Sequence, residues 1–182
     1  DIVNVDARAA DILEHMRDLL RKEAPHSSDV DINEICRRAV QLLLPDAAVR
    51  GVRLVGSYDP AIPKTRGDAV QLQQVILNLT LNGIDSATNS KDERLVTVST
   101  RARPGNIEIS VQDTGPGLSS AAEQRLFEPF YSTKQKGLGM GLSIVRAIVE
   151  RHGGRVGGKN NVGGGAVFTV HLPVNDTFER AM

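Results

Sequence analysis

The sequence contains no tryptophan, and its aromatic residues amount to only 3%. That scarcity argues against the stacking platforms on which single-stranded nucleic acid is bound. Cysteine is nearly absent as well. Cys36 stands alone, which excludes an intramolecular disulfide and a multi-cysteine metal site, and on an apolar helix face it reads as a small buried hydrophobe. Neither sign of charge is in excess, with 22 Lys and Arg against 22 Asp and Glu. No global field therefore gathers DNA or an anionic membrane, and partners must be recognised locally. No apolar run approaches the roughly 18 residues that span a bilayer. A length of 182 residues suits one well-buried domain with an appendage rather than two full domains. The chain begins at Asp1 rather than Met, so a fragment is expected, and missing targeting signals say little about the intact protein.

What is present divides the chain into segments. Ile2, Val5, Ala9, Ile12, Met16 and Leu19 recur at steps of three and four. So narrow an apolar stripe wants a helical partner, in a hairpin or a dimeric bundle; an amphipathic helix packed on its own domain is the alternative. Residues 25–30 read as a linker, broken by Pro25. A second amphipathic helix is expected from about Asp31 to Pro45, with Ile32, Ile35, Cys36, Ala39, Val40, Leu43 and Leu44 on one side. Residues 52–58 look like a strand, and helical periodicity returns from Asp68 to about Ala87. Two alternating stretches, LVTVSTR and IEISVQD, joined through Pro104, Gly105 and Asn106, predict a hairpin. A glycine-rich irregular region spans about 114–140, a helix covers about 141–152, and two last strands are joined through Asn160–Gly165. Helices and antiparallel strands mixed in one domain predict an α/β protein in the two-layer α+β sense, with helices on one face of a sheet. Residues after 173 read as a frayed tail.

Three segments carry chemistry. The helix QLQQVILNLTLNGIDSA is apolar around most of its girth, yet Gln71, Gln74, Asn78, Asn82 and Asp85 draw one polar stripe along it. Buried amides need partners, so the stripe either bonds internally to the sheet or lines a cavity and offers oxygens to a hard cation. Mg²⁺ suits the second case, because it keeps waters and substrate phosphates and takes only one or two protein ligands. Next, Asp113-Thr114-Gly115-Pro116-Gly117-Leu118 closes a strand. A carboxylate there can accept from an exocyclic amine while the glycines admit a flat ring, or the segment is simply an Asx turn. Third, Gly137-Leu138-Gly139-Met140-Gly141-Leu142 precedes a helix, where free N–H groups suit phosphate oxygens; a flexible hinge is the alternative. Between them, Phe127, Phe130 and Tyr131 place three of the chain's six Phe and Tyr residues in one loop. That composition suggests a lid, with Lys134 and Lys136 able to meet phosphate.

NLTLN, DTGPGL, LFEPF and GLGMGL, in that order and spacing, resemble the N, G1, F and G2 boxes of two-component sensor histidine kinases. The resemblance covers residues 31–173, and residues 1–24 look like the second helix of that family's dimerisation and phosphotransfer bundle. It implies a Bergerat-type ATP fold, a mixed, largely antiparallel sheet under three helices. It further implies that Asn82, helped by Asn78, ligates Mg²⁺ and that Asp113 reads the adenine amine, with Gly115 and Gly117 shaping that pocket. Gly137, Leu138, Gly139, Gly141 and Leu142 would hold the phosphates of ATP, with Lys134 beside them. Related hydrolytic ATPases of the same superfold carry Glu at the position of Asn78, and an amide cannot take a proton from water. Transfer to an external acceptor is therefore implied, with a nucleotide-binding regulatory module or a hydrolytic ATPase as rivals. The implied partners are an upstream acceptor-histidine helix and a response regulator. The intact protein would be a cytoplasmic or inner-membrane-anchored homodimer. Two departures stand out. None of His15, His26, His152 and His171 lies in the His-Glu/Asp-hydrophobic acceptor pattern, so this fragment is not expected to phosphorylate itself. Ala166-Val167 stands where many relatives have Thr.

Overall fold

Period-two alternation builds the sheet and the 3.6-residue period builds the layer above it. The computed structural model describes residues 27–132 and 139–174. Its elements run β1 (Ser28–Val30), α1 (Ile32–Val49), β2 (Arg53–Tyr58), β3 (Thr65–Gly67), α2 (Ala69–Ala87), β4 (Leu95–Arg103), β5 (Asn106–Asp113), α3 (Ser120–Arg125), α4 (Gly141–Arg151), β6 (Arg155–Asn160) and β7 (Ala166–Pro173). The heptad segment 1–24, Lys134, Gly137, Leu138 and the tail from 175 lie outside the described residues.

Five strands form one sheet in the order β2-β4-β5-β7-β6. β2 runs parallel to β4 and every other neighbour pair is antiparallel. Val96 and Val98, then Ile107, Ile109 and Val111, then Phe168, Val170 and Leu172 all point to one buried side. Over that side lie α1, α2 and α4, with α2 between the other two. α1 contributes Ile35, Cys36, Ala39 and Leu43 to the core, α2 contributes Leu72, Val75, Ile76 and Leu79, and α4 contributes Ile144, Val145, Ile148 and Val149. Each of the Val, Leu and Ile side chains among them stabilises the fold by about 1.5–3 kcal/mol. The result is the expected mixed, largely antiparallel sheet under three helices. Asp31 and Asp68 cap α1 and α2, accepting from Glu34 N–H at 3.0 Å and from Val70 N–H at 3.0 Å.

Four local features differ from the sequence expectation. α1 runs through Pro45 to Val49. The ring removes one hydrogen bond to the carbonyl of Gln41, an exposed residue that water can serve, while buried Ala47 and the Arg50–Asp46 ion pair hold the last turn. Leu44 is 46% exposed, not on the core side, because that turn faces solvent. Ser28–Val30, read as linker, pairs with Thr65–Gly67 in strands too short to show alternation. α3 rises within the stretch read as irregular, capped by Ser119, whose hydroxyl accepts from Ala122 N–H at 3.1 Å.

His152 has a role that its sequence position hid. At the end of α4 its Nδ1 lies 2.8 Å from the Ile148 carbonyl, and its Nε2 accepts from the Asp68 N–H at 3.0 Å. With both ring nitrogens engaged, the ring tethers the start of α2 to the end of α4.

Cys36 is fully buried, and desolvation pushes its thiol up from 9.0 to about 12. The unfolded state then loses this proton first, so stability is retained below about pH 9 and falls as pH rises toward about 12, by about 1.4 kcal/mol per pH unit. Half-buried Tyr58, pushed by its own burial to about 12, adds to the upper part of that window. Urea unfolding at pH 8 and pH 10.5 should show the drop, and Cys36→Ala should flatten it. A pH-independent wild type would contradict the burial.

Candidate functional site

α2, the end of β5, the loop that follows it and the start of α4 enclose a cavity of about 560 Å³. Asn82, Asp85, Ser86 and Asn89 come from or just beyond α2, one helical turn apart, so the polar stripe emerges from the core into this space. Leu118, Ala122, Leu126, Met140, Ala166 and Phe168 supply apolar walls. A mostly apolar cleft with a few convergent polar groups is the usual form of a small-molecule site.

Asp113 lines the cavity and is only 2% exposed. Its Oδ1 accepts from Ser86 Oγ at 2.9 Å, from Gly115 N–H at 2.8 Å and from Ala166 N–H at 3.4 Å. Three donors on one oxygen fix the plane of the carboxylate. The neighbouring chain must be glycine for steric reasons. A Cβ on Gly115 would sit 2.6 Å from the Ser86 carbonyl oxygen. Gly165, at φ +75°, lies so close to Asp113 that a Cβ would stand 2.7 Å from its carbonyl carbon. Gly165→Ala should therefore cost about 3 kcal/mol or more in urea unfolding. Gly164→Ala, at φ +95° with open space around it, should cost about 1 kcal/mol. Equal losses at the two positions would contradict the packing. The departure at Ala166 is thereby neutral for Asp113, since the backbone N–H makes the contact.

The other rim is the start of α4. Met140 occupies its N-cap position and makes no side-chain capping bond, so the first-turn N–H groups at Gly141 and Leu142 have no side-chain partner at the cap. Asn82 faces that end, its Nδ2 4.0 Å from where a Cβ of Gly141 would stand. Gly139 abuts the backbone of Phe130 and Tyr131. Phe130 is 76% exposed at φ 65°, a sparsely populated conformation for a side-chain-bearing residue.

Of the residues singled out from sequence, Asn82, Asp113, Gly117, Gly139, Gly141 and Leu142 line one cavity, and Gly115 supports it from behind. Asn78 does not line it. One turn deeper on α2, its Nδ2 is buried without a hydrogen-bond partner among the described residues. The sequence reading missed Ser86, which lies next to Asp85 on the same stripe, and Asn160. The Asn160 amide brackets Leu118, accepting its N–H at 2.7 Å and donating to its carbonyl at 2.9 Å. A clamp between residues 42 positions apart leaves no local signal. Asp85 also pairs with Arg50 at the end of α1.

The residues present fit a hard cation with phosphates. The Asn82 amide stands on the cavity wall beside an anion-attracting helix terminus, the sparse protein set that Mg²⁺ takes, whereas the orphaned atom of Asn78 is its Nδ2, a donor that does not itself ligate a cation. Among the described residues no three His, Cys, Asp or Glu side chains cluster as metal ligands. No described helix is long and apolar enough to cross a membrane.

Comparison with known proteins agrees with this geometry. Residues 67–176 match the family described as "Histidine kinase-, DNA gyrase B-, and HSP90-like ATPase". The sensor histidine kinase ZraS of Klebsiella oxytoca is 37% identical over 176 residues, covering 94% of this chain and 37% of ZraS. The C4-dicarboxylate transport sensor protein DctS of Rhodobacter capsulatus is 36% identical over 168 residues, 92% of this chain and 26% of DctS. Among solved structures, full-length ShkA in complex with AMPPNP superposes with a TM-score of 0.77 at 29% identity, over 90% of this chain and 34% of that one. The chain thus spans well under half the length of these relatives.

Proposed function

Since the chain belongs to the histidine kinase-, DNA gyrase B- and HSP90-like ATPase family, we propose that it is the Mg-ATP-binding catalytic domain of a sensor histidine kinase. In this reading it transfers the γ-phosphoryl group to a histidine on an upstream helix, for relay to an aspartate of a response regulator. The observation that carries it is the juxtaposition of Asp113, held by three donors, with Asn82 and an uncapped helix N-terminus around one cavity.

Each residue has a task in that reading. Asp113 accepts the exocyclic amine of adenine, and Leu118, Met140 and Phe168 cover the ring faces and exclude water. N–H groups at Gly141 and Leu142 receive phosphate oxygens with the favourable end of the helix dipole. Asn82, with Asn78 one turn behind it, would hold the metal, which would supply charge neutralisation for the transferring phosphoryl group. No group at the Asn78 position can take a proton from water, so the pocket positions ATP and leaves the attack to an external nucleophile. Lys134, Gly137 and Leu138 complete the phosphate loop in this proposal. The segment 1–24 is the second helix of a dimeric stalk, whose apolar seam demands a helical partner.

The chain alone, incubated with Mg²⁺ and γ-labelled ATP, should bind nucleotide in the micromolar range, release almost no phosphate and acquire no label. Rapid phosphate release without any acceptor would replace this proposal with the hydrolytic reading.

A further inference from the structure

The sheet face turned away from the helices is not a bland solvated surface. Cross-strand register places Arg101, Glu108, His171 and Arg155 in one row across β4, β5, β7 and β6. The next outward row is Ser99, Ser110, Thr169 and Gly157, and the next Thr97, Gln112, Val167 and Lys159. Short side chains thus floor the middle while long charged ones stand at its borders. At Gly157 an added Cβ would meet nothing within 4 Å. A hollow of about 400 Å³ opens there, lined by Glu108, Arg155, Gly157, Lys159, Thr169 and His171 among others.

The charges in this hollow are unbalanced. Glu108 is its one carboxylate, and Arg103 already takes it at 3.0 Å. Arg155 and Lys159 flank Gly157 on the same side of β6, about 13 Å apart along the strand. Neither has a carboxylate within ion-pair distance among the described residues. His171 faces Glu108 on β5 and Arg155 on β6. Burial and the Arg155 cation lower its pKa, so the neutral imidazole enters as a hydrogen-bond partner rather than another cation. Two cations without a carboxylate partner among the described residues, over a hydroxyl-bearing floor in a hollow of small-ligand size, suit an oxyanion.

We propose that this hollow is a second ligand site, distinct from the nucleotide cavity, which takes a carboxylate or phosphate group between Arg155 and Lys159 above the Thr169 hydroxyl. The two sites lie back to back. Ala166 and Phe168 line the nucleotide cavity, whereas Val167 and Thr169, the alternate residues of β7, line the hollow. One sheet thickness separates them, so an occupant here is placed to act on β7, whose Ala166 N–H bonds Asp113.

Titration of the isotope-labelled chain with citrate and, separately, with inorganic pyrophosphate, followed by amide chemical shifts, tests the site. Saturable shifts at Gly157, Thr169 and His171, with a dissociation constant of about 1 mM or tighter, are expected from at least one ligand, and which one responds identifies the oxyanion. Arg155→Ser combined with Lys159→Ser should weaken that binding about tenfold or more while ATP affinity stays unchanged, which also verifies the fold. Shifts confined to Gly139 and Gly141, no saturation by either ligand, or equal binding by the double variant would each overturn the proposal.

Discussion

Asp113→Asn should weaken ATP binding by about 100-fold or more and leave the fold standing. The asparagine oxygen can still accept from Ser86, Gly115 and Ala166, so the three contacts that lock the end of β5 persist. What changes is the second terminal atom, where an amide NH₂ replaces an acceptor. If Asp113 receives the adenine amine, two donors then face each other in a buried pocket. The calorimetric affinity should collapse while unfolding stability drops by no more than about 1–2 kcal/mol. Asp113→Ala is the less informative change, because it also strands three donors. Binding by the asparagine variant within a few-fold of wild type would remove adenine from this end of the cavity.

The second large effect concerns the metal. Asn82→Ala should cost about 100-fold in ATP affinity with Mg²⁺ present and under about threefold in its absence. The amide lies against the start of α4, where the phosphates and their cation would meet. In the proposed reading its removal takes away a metal ligand and no apolar packing, since Asn82 lies on the cavity wall rather than in the core. Equal losses with and without metal would reassign Asn82 to direct contact with the nucleotide.

These two residues also show what can be read without a structure. Asn82 and Asp113 were legible because each stands on a regular element whose period betrays it. Asn82 interrupts an otherwise apolar helix at the right phase, and Asp113 ends an alternating strand just before glycines. The sheet and its three helices were legible for the same reason. What escaped were features with no period of their own. β1 and β3 have three residues each, and α3 has six, too few for a pattern. α1 continued past Pro45 because tertiary packing of Ala47 outweighed a local signal. Asn160, Gly165 and the His152 tether join positions far apart in the chain, so their partners exist only once the fold has formed. The row of charges on the open sheet face is likewise a product of register, not of any one strand.

One experiment tests directly whether the pocket prepares ATP for transfer, as proposed, rather than for hydrolysis. The chain is mixed with Mg²⁺, γ-labelled ATP and a catalytically dead sensor kinase that supplies the acceptor-histidine helix with its docking surface free. The predicted result is acid-labile label on that histidine, dependent on Asn82 and Asp113, with little free phosphate in the matched reaction lacking the acceptor. Label that never reaches the histidine while inorganic phosphate accumulates at the same rate with or without the acceptor would contradict it.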